Sequence, residues 1–151
     1  MALHQIPCEL CDQLILCRDG SHPRLISEME SGFAVLGPSQ YFYGYSLLIC
    51  KEPATELDEL EPLFRKQYLD DMARLAQAVR LAVRPNKLNT EALGNVCHHH
   101  HWHVFPRYLN EPEPLLPVWQ CMPTEDEAAE HLFDRVRHED LIQQIRRRLR
   151  D

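Results

Sequence analysis

Between Thr55 and Val83 the chain places Leu60, Phe64, Leu69, Met72, Ala76, Val79 and Val83 mostly at three- and four-residue steps, with Glu, Arg, Lys and Asp between them. That spacing predicts one long amphipathic helix. Arg84-Pro85-Asn86 ends it, because proline disfavours helical geometry in the residue before it. A helix with one apolar stripe needs a surface to cover, and its flanks supply one. Phe33-Ala34-Val35-Leu36 and Tyr45-Ser46-Leu47-Leu48-Ile49-Cys50 are short and apolar, with Gly37-Pro38 and Gly44 between them, and predict a hairpin or two adjacent strands. Beyond the helix, Lys87 to Asn89 and Val96 to Phe105 are predicted strands, joined through Leu93-Gly94-Asn95 and closed by Pro106. The expected fold is α+β, an antiparallel sheet with one long inserted helix and a C-terminal helix.

With 151 residues the chain suits a single domain. Residues 109–123 hold Pro112, Pro114, Pro117 and Pro123 and predict a surface loop. Thr124-Glu125-Asp126-Glu127 matches a capping box, and Leu132, Val136, Ile142, Ile145 and Leu149 form a stripe. Residues 124–150 are therefore expected to form a helical extension that packs Leu132, Val136, Ile142 and Ile145. Its basic end, Arg146-Arg147-Arg148-Leu149-Arg150, complements a helix C-terminus.

A formal charge of -7 disfavours nucleic acid as a partner, since a phosphate backbone must be met by many cations, but it leaves room for a local anionic ligand. No apolar run approaches the ~20 residues of a membrane span. Met1 to Pro7 lacks a basic stretch followed by an apolar core, so the cytoplasm is the expected compartment. The six cysteines are then expected to be mostly reduced, and only Cys8-Glu9-Leu10-Cys11 has a motif-like spacing.

Five of the nine histidines, His98, His99, His100, His101 and His103, lie within six positions. An affinity tag would sit at a terminus, and this run is interrupted by Trp102 and flanked by core-like residues. On a strand His99, His101 and His103 share one face, about 7 Å apart, and His98, His100, Trp102 and Val104 share the other. Three imidazoles on one surface can hold a metal, or they can serve phosphorus chemistry, one ring attacking while its neighbours stabilise anionic oxygens. Spacing alone leaves both open.

The string from Leu93 to Tyr108, with His99-His100-His101-Trp102-His103-Val104-Phe105-Pro106-Arg107 at its centre, resembles the histidine-triad family, whose signature is His-φ-His-φ-His-φ-φ with φ apolar. Within it, the string is most similar to the bacterial branch related to dinucleoside polyphosphate hydrolases. His100 departs from the pattern by occupying a φ position. The resemblance implies that the middle histidine, His101, attacks the α-phosphorus of a nucleotide ester, anhydride or amidate to give a nucleotidyl-imidazole that water hydrolyses. His99 and His103 would orient it and contact the phosphate or leaving group. Asn89 and Asn95 match amides that bind phosphate oxygens, and Arg107 just past the triad is a further candidate. Where the family often carries a ribose-binding Asn or Asp this chain has Gly37, so Ser39 or Gln40 would substitute.

Some members bind zinc through Cys-x-x-Cys, a histidine after the second strand and the first triad histidine. Cys8, Cys11 and His99 match, but Lys51-Glu52-Pro53 puts Pro53 where the third ligand belongs, leaving the site one short unless Cys50 or His4 moves in. Two cysteines without metal is the favoured expectation. No cofactor is required by the sequence, and Mg²⁺ would accompany a polyphosphate substrate as a charge neutraliser. The resemblance also implies a homodimer. The leading expectation is hydrolysis of a dinucleoside polyphosphate. A nucleoside phosphoramidate hydrolase or nucleotidyl transferase is the alternative among enzymes, and a nucleotide- or zinc-binding module without turnover the alternative outside them.

Overall fold

The structure, a computed structural model, describes residues 8–150. Among the described residues five strands form one antiparallel sheet in the order β1-β2-β3-β5-β4. These are β1 (Leu25–Glu28), β2 (Gly32–Leu36), β3 (Ser46–Cys50), β4 (Lys87–Glu91) and β5 (His101–Arg107). The helices are α1 (Glu9–Arg18), α2 (Pro62–Val83), α3 (Glu125–Glu130) and α4 (Arg135–Arg150). The α+β architecture expected from the sequence is the one observed. Among the described residues no helix is long and apolar enough to cross a membrane.

Every residue of β2 and β3 is buried, because both faces of the sheet are covered. On one face Ala34, Leu36, Leu48, Cys50 and Val104 pack with Tyr68, Leu75, Ala78 and Val79 of α2 and with Leu141, Ile142 and Ile145 of α4. Each fully buried large side chain there contributes about 1.5–3 kcal/mol. On the other face Phe33, Val35, Leu47 and Ile49 meet Leu10, Leu14 and Cys17 of α1.

The long helix begins later than its stripe suggests. Leu57–Glu59 forms a 3-10 turn, and the Glu61 carboxylate caps the amides of Leu63 and Phe64, with Pro62 in the first turn. Arg84 ends the helix in the left-handed region at φ 49°, its amide donating to the Arg80 carbonyl. The C-terminal part is two helices instead of one. The Thr124–Glu127 capping box forms as expected, but α3 stops after Glu130 because the next residues pair with the β2–β3 connection. There Gln40 N donates to the His131 carbonyl, Phe133 N donates to that of Pro38, and Ser39 bridges Leu132. Leu132 and Val136 consequently stay exposed, correcting the expected packing, while Leu141, Ile142 and Ile145 are buried against α2 and β1. Arg146 donates to the carbonyls of Leu25 and Ile26 and so occupies part of the free edge of β1.

Two elements had no sequence reading, α1 and β1. The predicted strand from Val96 is also shorter than expected: residues 92–100 are irregular, with Gly94 at φ 71°, and regular pairing starts only at His101.

Candidate active site

Register decides which histidines meet. In the β3–β5 pair Leu47 lies opposite His103 and Ile49 opposite His101, so both rings share the α1 face, while Trp102 pairs with Leu48 toward α2. The Nε2 atoms of His101 and His103 are 3.1 Å apart. His101 Nδ1 is 2.7 Å from the His99 carbonyl. A carbonyl only accepts, so Nδ1 carries the proton and Nε2 keeps its lone pair. His103 Nε2–H then donates to His101 Nε2, and His103 Nδ1 accepts from the Tyr45 hydroxyl at 2.7 Å. The result is a directed chain from Tyr45 through His103 and His101 to the His99 carbonyl.

Burial keeps these rings neutral. His103 is pushed down to about 4 by burial and then by the neighbouring His101. His101 is also lowered by burial, partly offset by its bond to the His99 carbonyl. A neutral His101 with Nδ1–H anchored and Nε2 unprotonated has the form a nucleophilic imidazole requires, held in one tautomer. As its Nε2 bonds to an electrophile the ring gains positive charge, which the carbonyl on Nδ1–H stabilises without reorganising.

Aromatic rings frame the pair. Tyr45 stacks on Phe105 at 4.0 Å, His103 stacks on Phe105 at 5.5 Å, and Trp119 meets His103 and Phe105 edge-on at 5.7 and 5.8 Å. Trp119 Nε1 donates to Glu91. Tyr45 and Trp119 were not read as site residues. Gly37 explains the first: a Cβ there would collide with the Tyr45 ring, so the place where a ribose-binding side chain was looked for is filled by the tyrosine that reaches His103. Trp119 arrives from the Pro-rich loop, whose path has no local periodicity to read.

His99 precedes the regular strand, and its ring is held separately. Nε2–H donates to the Cys50 carbonyl at 2.7 Å, which leaves the Nδ1 lone pair 3.6 Å from Cys11 Sγ. The donor atoms of Cys8, Cys11 and His99 lie within 4.8 Å of one another. Two sulfurs and an imidazole nitrogen fit Zn²⁺ in ligand type. Burial would raise the Cys8 thiol, but its contact with Cys97 and nearby backbone amides outweigh that and lower it. Pro53 is exposed and offers no ligand. Cys50 does not move in, since its side chain belongs to the core under α2 and burial pushes its thiol up to about 11. His4 lies outside the described residues.

Three residues expected at the substrate are tied up elsewhere. Arg107 uses all five N–H groups: to Glu111, Asn89 Oδ1, the carbonyls of Leu116 and Glu113, and Cys121 Sγ. It is 2% exposed and pins the Pro-rich loop instead of facing phosphate. Gln40 donates to the Gly37 and Tyr45 carbonyls and accepts from Gly44 N, closing the turn between β2 and β3. Ser39 Oγ donates to the Ala128 carbonyl and accepts from Tyr41 N, joining that turn to α3. Asn89 accepts from Arg107 and Val118 N through its oxygen. Its amide N–H₂ group makes no hydrogen bond among the described residues. It lines a cleft of about 440 Å³ with Glu91, Arg107 and Leu116. Asn95 is exposed in the segment leading to the triad. His100 points to the opposite face, with Nδ1 3.3 Å from the Tyr68 hydroxyl.

The fold and the paired histidines define a histidine-triad protein. The family model described as the HIT domain matches residues 22–110, and the chain belongs to the HIT family. The protein named hit of Bacillus subtilis is 33% identical over 88 residues, 55% of this chain and 61% of that protein, so the match spans less than two thirds of the relative's length. A histidine triad protein of Bradyrhizobium japonicum is similar in structure, with a TM-score of 0.72, 23% identity, and coverage of 83% of this chain and 89% of the other. A zinc-bound histidine triad family protein of Mycobacterium smegmatis has a TM-score of 0.64 at 20% identity, covering 95% and 93%.

Proposed function

We propose that this chain hydrolyses a dinucleoside polyphosphate at the α-phosphorus with His101 as the nucleophile. The observation that carries the reading is the fixed tautomer: His101 Nδ1–H on the His99 carbonyl, with its Nε2 lone pair beside His103 Nε2–H. In the first step the N–P bond forms and the bridging P–O bond of the anhydride breaks, so the leaving polyphosphate departs with that electron pair. His103 Nε2–H, next to the reacting nitrogen, turns to a phosphate oxygen. In the second step water attacks the same phosphorus, the N–P bond breaks, and the water proton not carried away by solvent remains on the released phosphate. The leaving oxygen of a polyphosphate is stable as an anion, so positioning matters more than base strength.

Asn89, through its N–H₂ group, and Asn95 are the side chains we assign to phosphate oxygens. Mg²⁺ entering with the polyphosphate would neutralise part of its charge. The reading further includes a homodimer in the cytoplasm, formed from one HIT-like domain with a C-terminal helical extension. Cys8, Cys11 and His99 are the residues that would hold zinc, in keeping with the zinc-bound mycobacterial relative. Zinc there would supply a cross-link between α1 and the approach to β5, and takes no part in the chemical steps.

The test is a panel of diadenosine polyphosphates, an adenosine phosphoramidate and nucleotide sugars, scored by product. The expected result is release of a nucleoside monophosphate from the polyphosphates at the highest kcat/KM. Preference for the phosphoramidate, or transfer to an acceptor other than water, would overturn the substrate class while keeping His101. Tight binding without turnover would overturn the enzyme reading.

A further inference from the structure

Cys8, Cys11 and His99 give three donors, and a closed structural zinc site needs four. The position where the family resemblance looks for the fourth holds an exposed proline. The structure offers another candidate from the opposite direction in the sequence. Cys97 Sγ is 3.2 Å from Cys8 Sγ, although 89 residues separate them. Cys97 stands two residues before His99, on the same irregular segment that enters β5, so one short stretch can present a sulfur and an imidazole nitrogen to the Cys8–Cys11 pair.

We infer that Cys97 is the fourth ligand of a Cys₃His zinc site built from Cys8, Cys11, Cys97 and His99. This rests on the reading of Cys8, Cys11 and His99 as metal ligands and deepens it by closing the set. Two contacts join the two halves: Cys8 to Cys97 at 3.2 Å and Cys11 to His99 Nδ1 at 3.6 Å. With Zn–S near 2.3 Å and Zn–N near 2.0 Å, tetrahedral ligand atoms sit about 3.5–3.8 Å apart. The two pairs are thus close to the needed spacing; Cys97 Sγ lies outside the 4.8 Å cluster of the other three donors, so closing the set requires the irregular segment that carries it to shift toward Cys11 and His99. The outer support exists as well, since a metal-binding imidazole normally donates its other N–H to a carbonyl. His99 does so to Cys50 at 2.7 Å, which aims the Nδ1 lone pair at the cluster. Cys8 and Cys97 also pack on the apolar cluster of Leu10, Leu14, Phe33 and Ile49, which limits their access to water.

The site has a structural consequence two residues further on. It would tie the start of α1 to the segment whose His99 carbonyl holds His101 Nδ1–H. The ligand set therefore fixes the residue that fixes the nucleophile.

The test measures metal binding and not turnover. The full chain is purified reduced, its zinc content determined, and its affinity measured by competition with a chromophoric chelator; the Co²⁺-substituted protein reports the number of thiolates through its charge-transfer absorption. The expected result is one equivalent of zinc and a three-thiolate cobalt spectrum. Cys97→Ser should bind at least about tenfold more weakly, since even outer partners of a metal ligand act on that scale. Cys97→His should retain the metal with a two-thiolate spectrum, and Cys121→Ser should match the parent. Circular dichroism of each variant establishes that it is folded. If Cys97→Ser keeps parental affinity and spectrum while Cys11→Ser loses the metal, the fourth-ligand assignment is wrong and the three-residue reading survives. If the reduced parent takes up no zinc, both fail.

Discussion

The two faces of the sheet are built on different principles. Toward α2 and α4 the contacts are apolar and interchangeable in kind: Leu48, Val104, Leu75, Ala78, Leu141 and Ile145 share one core. Toward α1 and the Pro-rich loop, polar groups are matched one to one: Tyr45 to His103, His103 to His101, His101 to the His99 carbonyl, and His99 to the Cys50 carbonyl. Adjacent residues show the split. His100 sits on the first face beside Tyr68, and His101 on the second in the directed chain. One face holds the fold together, and the other aims lone pairs.

That comparison predicts opposite phenotypes for truncations of similar size. His101→Ala should reduce kcat by on the order of a thousandfold, about 4 kcal/mol of barrier, with little change in Tm. Leu75→Ala, fully buried under the other face, should cost about 2–5 kcal/mol of stability and leave kcat of the folded fraction near the parent's. Activity assays paired with denaturant unfolding check this, and both losses in either variant would show that the two faces do not divide folding from chemistry.

Arg107 tests the loop side of the polar face. Since its guanidinium is buried against Glu111 and the loop carbonyls, Arg107→Gln should destabilise by roughly 3 kcal/mol through the unpaired Glu111. A variant with parental stability but raised KM would return Arg107 to the substrate.

Acid should act on both faces at once. His22, His100 and His103 are each held down to about 4, in every case chiefly by burial. Their folded values lie below the ordinary 6.5, so the folded state excludes protons that the unfolded chain binds. The stability they contribute is complete above about pH 6.5 and is lost as pH falls toward 4. Tm measured across that window should decline. A flat profile would contradict the burial of neutral imidazoles.

The smallest effect belongs to His100→Leu. Tyr68 keeps its hydrogen bond to the Leu48 carbonyl without the ring, so the change in stability at pH 7 should stay within about 1 kcal/mol, and kcat should be unchanged. The acid decline of Tm should become shallower, because one proton-excluding site is gone. A large fall in kcat would show that the two faces are coupled.

The position of the apolar face was legible in the sequence more than its individual members. The stripe from Leu60 to Val83 and the runs at Phe33 and Leu47 placed α2, β2 and β3, but the fully buried apolar residues of α2 are Tyr68, Leu75, Ala78 and Val79, of which the stripe contained only Val79, while Phe64, Met72, Ala76 and Val83 pack at its margin and Leu69 is exposed. The short α1 and the four-residue β1 carry too little pattern to stand out, and the break between α3 and α4 comes from pairing with Ser39 and Gln40, which no local rule reveals. On the other face, alternation correctly put His101 and His103 together. It gave no warning that His99 lies before the regular strand, nor that Arg107 and Gln40 are consumed by loop groups and Ser39 by a carbonyl of α3. Cys97 was hidden for the same reason: its nearness to Cys8 exists only after residues 92–100 fold back on α1.

If His101 bonds to phosphorus, the stereochemical course at that atom records it. With a substrate chiral at the α-phosphorus and isotopically labelled water, two successive in-line displacements through His101 give net retention, which is the expected result. Inversion would mean that water attacks directly and that His101 is not the nucleophile.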